Sequence, residues 1–106
     1  MTTPFLFTFE MFNKKVHNCL VDYTMSSNVM PYAICKKLNV EPLITNAQIV
    51  RLVHSRVKVM GELRDVLIRL ASNSKVRQVI DVIFMDILES YGLLLSRDWS
   101  SKLNGY

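Results

Sequence analysis

The sequence predicts an all-α fold, a small helical bundle of four main helices built on a long antiparallel helical hairpin. Apolar residues recur at helical spacing over 45–71 and over 75–95, and a helix-capping pattern opens the first of these stretches. Only the residues at 72–74 separate the two stretches, which makes the two helices antiparallel neighbours. Because no internal repeat or linker composition interrupts the chain, residues 1–106 are expected to form a single helical domain.

The first half of the chain predicts two shorter helices. The first, near 8–24, is indicated by apolar residues at helical spacing, namely Phe12, Val16, Cys19, Leu20 and Tyr23. The alternating phenylalanines at positions 5, 7 and 9 also fit a short extended strap laid over a core. Pro31 suits the first turn of a second helix that runs to about Leu38 and ends before Pro42, because the residue preceding a proline avoids the helical region.

The stretch 45–71 is predicted to be the central helix. Thr45 and Gln48 have capping-box spacing, and Ile44 and Ile49 flank them at the positions of a hydrophobic staple. On a helical wheel its apolar side chains cover an arc of about 200°, whereas a one-sided surface helix needs about 100°. The central helix is therefore expected to contact neighbours on two sides.

A fourth helix is predicted over 75–95, with Asn73 or Ser74 as its N-terminal cap. Its apolar stripe is regular and extends beyond one face, so this helix also has apolar surface to spare. Beyond it, one further turn of helix is expected between 97 and 103, where Asn104 and Gly105 would end it.

The apolar surplus predicts self-association. Half of the 106 residues are hydrophobic and the mean hydropathy is +0.19, so a chain this short is expected to form a homodimer or to have an obligate protein partner. The candidate interface residues are Arg56, Val57, Arg64, Ile68, Val82, Met85 and Leu93. Arg56 and Arg64 project into or beside the apolar arc, where they would lie along the core, pair with acidic groups of a partner, or contact phosphate. The predicted function is a non-enzymatic helical protein–protein interaction module that self-associates through its long helices.

The alternative function is sequence-independent binding to the backbone of double-stranded RNA or DNA. The formal charge is +4, and Arg51, Lys58 and Arg69 would share the polar face of the central helix. Glu62 and Asp65 on the same face weigh against this alternative. The stretch 33–40 followed by a capped helix has the cadence of a helix-turn-helix motif, but that second helix is too long and too apolar for recognition.

Catalytic and metal-binding patterns are missing from the sequence. Two cysteines and two histidines do not have zinc-ligand spacing. The carboxylates Asp81, Asp86 and Glu89 are interpreted as a solvated helix face, and the isolated glycines do not form a phosphate loop. The sequence therefore predicts no enzymatic activity, no cofactor, no metal and no small-molecule substrate.

The cysteines and the N-terminal stretch bear on the compartment. Cys19 and Cys35 stand singly in apolar surroundings, which predicts buried reduced thiols and an intracellular reducing compartment, cytoplasm or nucleus, although a disulfide between them stays open. The first residues lack the features of a signal peptide, and no apolar run approaches the length of a membrane span, so no membrane association is expected.

Overall fold

The computed structural model describes residues 5–42, 49–52 and 55–103, and for 49–52 and 55–57 it describes the backbone alone. Within these residues the chain forms seven strands and two short helices. In chain order they are β1 Phe7–Met11, β2 Lys14–Val21, β3 Asn28–Pro31, α1 Ile34–Leu38, β4 Ile49–Leu52, β5 Ser55–Leu70, β6 Asn73–Met85, β7 Leu93–Leu95 and α2 Trp99–Lys102. The predicted all-α bundle with its long helical hairpin is therefore wrong.

The strands form one sheet in the order β1-β2-β7-β3-β6-β5-β4. Because β1 also pairs with β5, at Phe9 opposite Leu70 and Glu10 opposite Arg69, six strands close into a barrel. β2 runs parallel to β7 and β3 runs parallel to β6, while the remaining pairs are antiparallel. β4 extends from this barrel as one arm of a hairpin with β5.

A β-hairpin replaces the predicted first helix. Phe12 and Asn13 connect β1 to β2 with φ of 52° and 61°, as the two-residue turn of a hairpin requires. The register shifts near Asn18, whose φ is 59°. This bulge places the inward-facing Val16 and Cys19 three residues apart instead of two, so the spacing imitates a helix.

The predicted central helix is the β4–β5 hairpin and the long strand β5. On β5 the side chains that face the main core are Leu63 before the register shift between Leu63 and Val66, and Val66, Ile68 and Leu70 after it. Asp65, with φ of 56°, lies at the shift. The shift changes the phase of the alternation by one residue, which leaves Leu63 and Val66 three residues apart and Val66 and Leu70 four apart, as on a helix. The predicted cap at Thr45 and Gln48 lies outside the described residues.

The predicted fourth helix is divided between β6, a loop and β7. The stretch 82–85 is continuously apolar because this part of β6 is covered on both faces. Val82 and Phe84 face the main core, whereas Ile83 and Met85 face the opposite side, where they belong to a second apolar cluster. A strand covered on both faces shows no alternation of apolar and polar residues, so its pattern does not distinguish it from a buried helix.

The main core fills the barrel and extends under α2. Phe9 and Trp99 meet edge to face, with ring centroids 5.4 Å apart and an interplanar angle of 81°. What we call the second apolar cluster consists of the buried Val29, Val59 and Met85 and the partly buried Met25, Ile83, Ile87 and Leu94. Its partly buried members leave apolar surface accessible beside the barrel core.

Parts of the sequence-based prediction agree with the structure. The helices α1 and α2 lie within the two stretches for which short helices were predicted, but Pro31, expected in the first turn of a helix, is the last residue of β3. Cys19 and Cys35 are buried free thiols, as expected. None of the helices in the described part of the chain has the length and apolar character needed to span a membrane.

Candidate functional site

The loop between β2 and β3 begins with Asp22, whose backbone N–H and carbonyl group both form hydrogen bonds. Asp22 directly follows the last residue of β2, and its N–H donates to the carbonyl of Leu95 in β7 at 2.9 Å. The N–H of Met25 donates to the carbonyl of Asp22 at 3.1 Å, and the N–H of Arg97 donates to the carbonyl of Met25 at 3.1 Å. These bonds fix the loop between the end of β7 and the start of the C-terminal helical turn.

The side chain of Asp22 is oriented by Thr24. The backbone N–H of Thr24 donates to Oδ1 of Asp22 at 2.9 Å, and the Thr24 hydroxyl donates to the same oxygen at 2.6 Å. Asp22 is half-buried, so the carboxylate is reachable from solvent. Both donors are on Oδ1, so Oδ2 is the carboxylate oxygen that Thr24 does not engage.

The second apolar cluster adjoins this loop. Met25 belongs to both the loop and the cluster, and Leu94 precedes the residue that accepts the bond from Asp22. Val29 of β3 lies opposite Leu94 of β7 and opposite Ile83 of β6, so the cluster spans three neighbouring strands. A fixed polar group beside a partly open apolar surface is the usual composition of a ligand site.

Exposed apolar side chains lie at the same end of the β1–β2 pair. Phe7 is opposite Cys19 in an antiparallel register, so Phe5 and Leu6 continue toward the end of β2 from which the Asp22 loop starts. Phe5 is 77% exposed, Leu6 is 47% exposed, and Tyr23 within the loop is 69% exposed. This end of the barrel therefore presents apolar surface next to the carboxylate.

The structure does not assemble the predicted interface residues on a surface. Ile68, Val82 and Leu93 are fully buried in the main core, and Met85 is buried in the second apolar cluster. Arg64 is exposed and its guanidinium lies 3.1 Å from the carboxylate of Glu62 on the same strand. For the remaining two positions only the backbone is described, with Arg56 opposite Arg51 and Val57 opposite Val50.

The residues of the nucleic-acid alternative are also dispersed. Lys58 and Arg69 belong to one strand and lie eleven residues apart, which corresponds to roughly 36 Å measured along the strand. Arg69 approaches Glu10 at 4.0 Å, and Arg51 lies on the separate strand β4. The helical face that was expected to align these cations does not exist, so this alternative is not supported.

Two carboxylates considered in the sequence analysis have structural partners. Glu89 accepts from the ammonium of Lys37 at 2.8 Å, and Oδ1 of Asp81 accepts from the N–H of Asp65 at 3.0 Å. Asp22 was missed because it fell inside the predicted first helix. Its signal in the sequence is an aspartate placed between the apolar Leu20 and Val21 and a polar turn.

The described residues contain neither a reactive cysteine nor a group of side chains suited to bind a metal ion. Burial raises the pKa of Cys19 to about 12 and that of Cys35 to about 11, so both thiols stay protonated and unreactive near neutral pH. Over residues 5–42, 49–52 and 55–103, no three His, Cys, Asp or Glu side chains are grouped so that they could hold a metal ion. Asp22 is a polar group with a fixed orientation beside an apolar surface.

No protein-family model and no curated protein sequence matches the chain. Its fold is that of the retroviral-protease-like domains. The EIAV protease in complex with the inhibitor HBY-793 superimposes with a TM-score of 0.70 at 14% identity, over 100% of this chain and 93% of that chain. The retroviral protease-like domain of Ddi1 from Leishmania major superimposes with a TM-score of 0.62 at 14% identity, over 98% of this chain and 80% of that chain.

This likeness corrects the functional prediction. The chain does not have the fold of a helical interaction module, and the expectation that it is not an enzyme is contradicted by its similarity to a protease and a protease-like domain. At this level of identity the likeness shows the fold alone.

Proposed function

We propose that this chain is a protease-like domain that hydrolyses peptide bonds as a homodimer, with Asp22 of each copy forming a pair of carboxylates. The observation that carries the proposal is Asp22 itself, fixed at Oδ1 by Thr24 and anchored to β7 through its backbone. The protease fold of the two similar structures supports the same function.

Two copies are needed because the chemistry uses two carboxylates. Aspartic proteases work with a pair of carboxyl groups that share one proton, since two like charges in contact do not both ionise. The Asp22 loop provides one such group. Three other carboxylates have cations of their own chain within 4.0 Å: Glu10, Glu62 and Glu89. A second Asp22, related by a two-fold axis, supplies the missing group, and closed two-fold symmetry is the commonest form of homo-oligomer.

The two carboxyl groups would divide the work of acid and base. The ionised Asp22 accepts a proton from a water molecule as that water attacks the peptide carbonyl carbon, and the protonated Asp22 of the other copy donates its proton to the carbonyl oxygen. The resulting tetrahedral diol collapses with proton transfer to the amide nitrogen, which breaks the C–N bond and releases an amine and a carboxylic acid. Thr24 keeps Oδ1 engaged, so Oδ2 is positioned for the water.

The second apolar cluster gives the substrate class. Met25, Ile83 and Leu94 are partly buried and lie on the side of the sheet that adjoins the Asp22 loop. An extended peptide with apolar side chains next to the cleaved bond would cover this surface and exclude water from it. The preferred substrate is therefore a peptide with apolar residues on one or both sides of the cleaved bond.

The exposed apolar side chains beside Asp22 suit a second copy of the chain. Phe5, Leu6 and Tyr23 are the candidate contacts, because they lie at the end of the β1–β2 pair that carries the carboxylate. We therefore propose that the homodimer forms at the Asp22 end of the barrel, and not through the long helices that the sequence predicted.

The proposal is tested with fluorogenic peptides that carry apolar residues around the cleaved bond. We expect the wild-type chain to cleave them and Asp22→Asn to lose at least a hundredfold of the rate, the lower end of the usual effect of a general acid or base. Asp86→Asn is the matched control, because Asp86 is an exposed carboxylate outside the loop, and it should retain the wild-type rate. Absence of cleavage by the wild-type dimer, or full activity in Asp22→Asn, would overturn the proposal.

A further inference from the structure

A cavity lies between β2, α1 and the segment 89–92, and it does not include the Asp22 loop. Its volume is about 290 Å³, close to the lower end of the roughly 300–1,000 Å³ found for small-molecule sites. Its charged and ring-bearing lining residues are Lys14, Lys15, His17, Lys37, Glu89 and Tyr91. The size suits a small ligand.

Cations predominate in this cavity. Three lysines from two different elements line it together with a single carboxylate, that of Glu89. The ammonium of Lys37 lies 2.8 Å from Glu89, and the Lys37 side chain is still 66% exposed. Because one carboxylate offsets only part of this charge, the cavity attracts anions.

The walls of the cavity are tied together. The ammonium of Lys14 donates to the carbonyl of Lys37 at 3.3 Å and so joins β2 to α1. The N–H of Gly92 donates to the carbonyl of Asn18 at 3.1 Å. A Cβ at Gly92 would overlap the carbonyl oxygen of His17 and a methyl group of Val16, so the segment approaches β2 as closely as a glycine permits. These contacts connect β2 to α1 and to the segment 89–92, the three elements that bound the cavity.

We propose that this cavity binds a small phosphate-bearing anion, with Lys14 and Lys37 as its charged contacts. Lysine acts on phosphate as a mobile point charge and does not need the planar geometry of arginine. In the unliganded chain Glu89 forms an ion pair with Lys37, and the bound anion takes the place of the Glu89 carboxylate. Glu89 therefore competes with the ligand for Lys37. Such competition is expected for a defined binding cavity and not for a basic surface without one. This inference does not depend on the proposed hydrolysis at Asp22.

The test is a calorimetric titration of inorganic diphosphate into the full chain at low and constant ionic strength. We expect saturable binding by the wild type and at least tenfold weaker binding by Lys14→Gln combined with Lys37→Gln. Lys75→Gln combined with Lys102→Gln is the matched control, because it removes the same charge from exposed lysines outside the cavity, and it should bind as the wild type does.

Glu89→Gln should change the affinity for diphosphate in the opposite direction. Removing the competing carboxylate frees Lys37, so the affinity for diphosphate should rise severalfold, while the far-ultraviolet circular dichroism spectrum stays unchanged. No saturable binding, equal losses in the two double variants, or weaker binding by Glu89→Gln would each overturn the proposal.

Discussion

Thr24 donates two hydrogen bonds to one oxygen of Asp22, from its backbone N–H at 2.9 Å and from its hydroxyl at 2.6 Å. The backbone bond survives any substitution other than proline, but the hydroxyl bond depends on the side chain. A bond this short to a charged oxygen is among the stronger hydrogen bonds in proteins. The hydroxyl therefore determines how firmly the carboxylate is oriented.

Thr24→Val should lower the rate of peptide cleavage by roughly tenfold to a hundredfold, because loss of a hydrogen bond to a charged group costs about 1.5–3 kcal/mol. Thr24→Ser keeps the hydroxyl and should retain most of the rate. The measurement is kcat and KM for the three proteins. Equal losses in both variants would mean that the loop responds to side-chain bulk and not to the hydroxyl.

Neighbouring residues of β5 should respond in opposite ways to the same charge. Ile68 is fully buried, so Ile68→Asp should destabilise the fold by several kcal/mol, since it buries an unpaired carboxylate. Leu67 is 45% exposed on the other face of the strand, and Leu67→Asp should change the free energy of unfolding by less than about 1 kcal/mol. The midpoints of urea denaturation measure both effects. Similar losses of stability in the two variants would contradict the alternation of buried and exposed side chains along β5.

Gly92→Ala should destabilise the chain by about 1–3 kcal/mol, as expected when a methyl group is forced into packed surroundings. The added Cβ would meet the backbone of His17, which cannot rotate away as a side chain can. Ser90→Ala, at an exposed position in the same segment, is the control and should leave the midpoint of urea unfolding unchanged. A neutral Gly92→Ala would mean that β2 and the segment 89–92 are further apart.

The stability of the chain should fall in alkaline solution partly because of Cys19. Burial raises the pKa of this thiol from its ordinary value of 9.0 to about 12, so above about pH 9 the unfolded state loses a proton that the folded state keeps. The contribution is complete below the unfolded pKa and is lost as the pH rises toward the folded value. Cys19→Ala should make the free energy of unfolding decline less between about pH 9 and 11 than in the wild type, and identical slopes would contradict this.

The sequence could indicate local features but not the arrangement of strands. Single bulges at Asn18 and Asp65 shift the inward-facing positions by one residue and convert an alternating pattern into apparent helical spacing. Asn and Asp tolerate the left-handed backbone conformation, so these two residues inside apolar stretches were the available signal for bulged strands. The pairing of β1 with β5 joins residues about sixty apart, and no local pattern encodes it.

The candidate site was hidden from the sequence for a different reason. The sequence contains no second carboxylate that pairs with Asp22, because the proposed pair consists of the same residue from two copies. The apolar surface beside it comes from Met25, Ile83 and Leu94, which only the fold brings together. The short helices were predictable because each depends on a few adjacent residues, whereas the burial of Cys19 also requires the neighbouring strands β1 and β7.

The proposed site needs an Asp22 from each of two copies, and subunit mixing tests this requirement. Wild-type chain and Asp22→Asn are mixed in varied proportions at constant total concentration, allowed to exchange subunits, and assayed for peptide cleavage. Because a mixed dimer has one carboxylate, the rate should fall with the square of the wild-type fraction, to about one quarter in an equal mixture. A rate that falls in direct proportion, to about one half in an equal mixture, would show that each copy acts alone and would contradict the paired site.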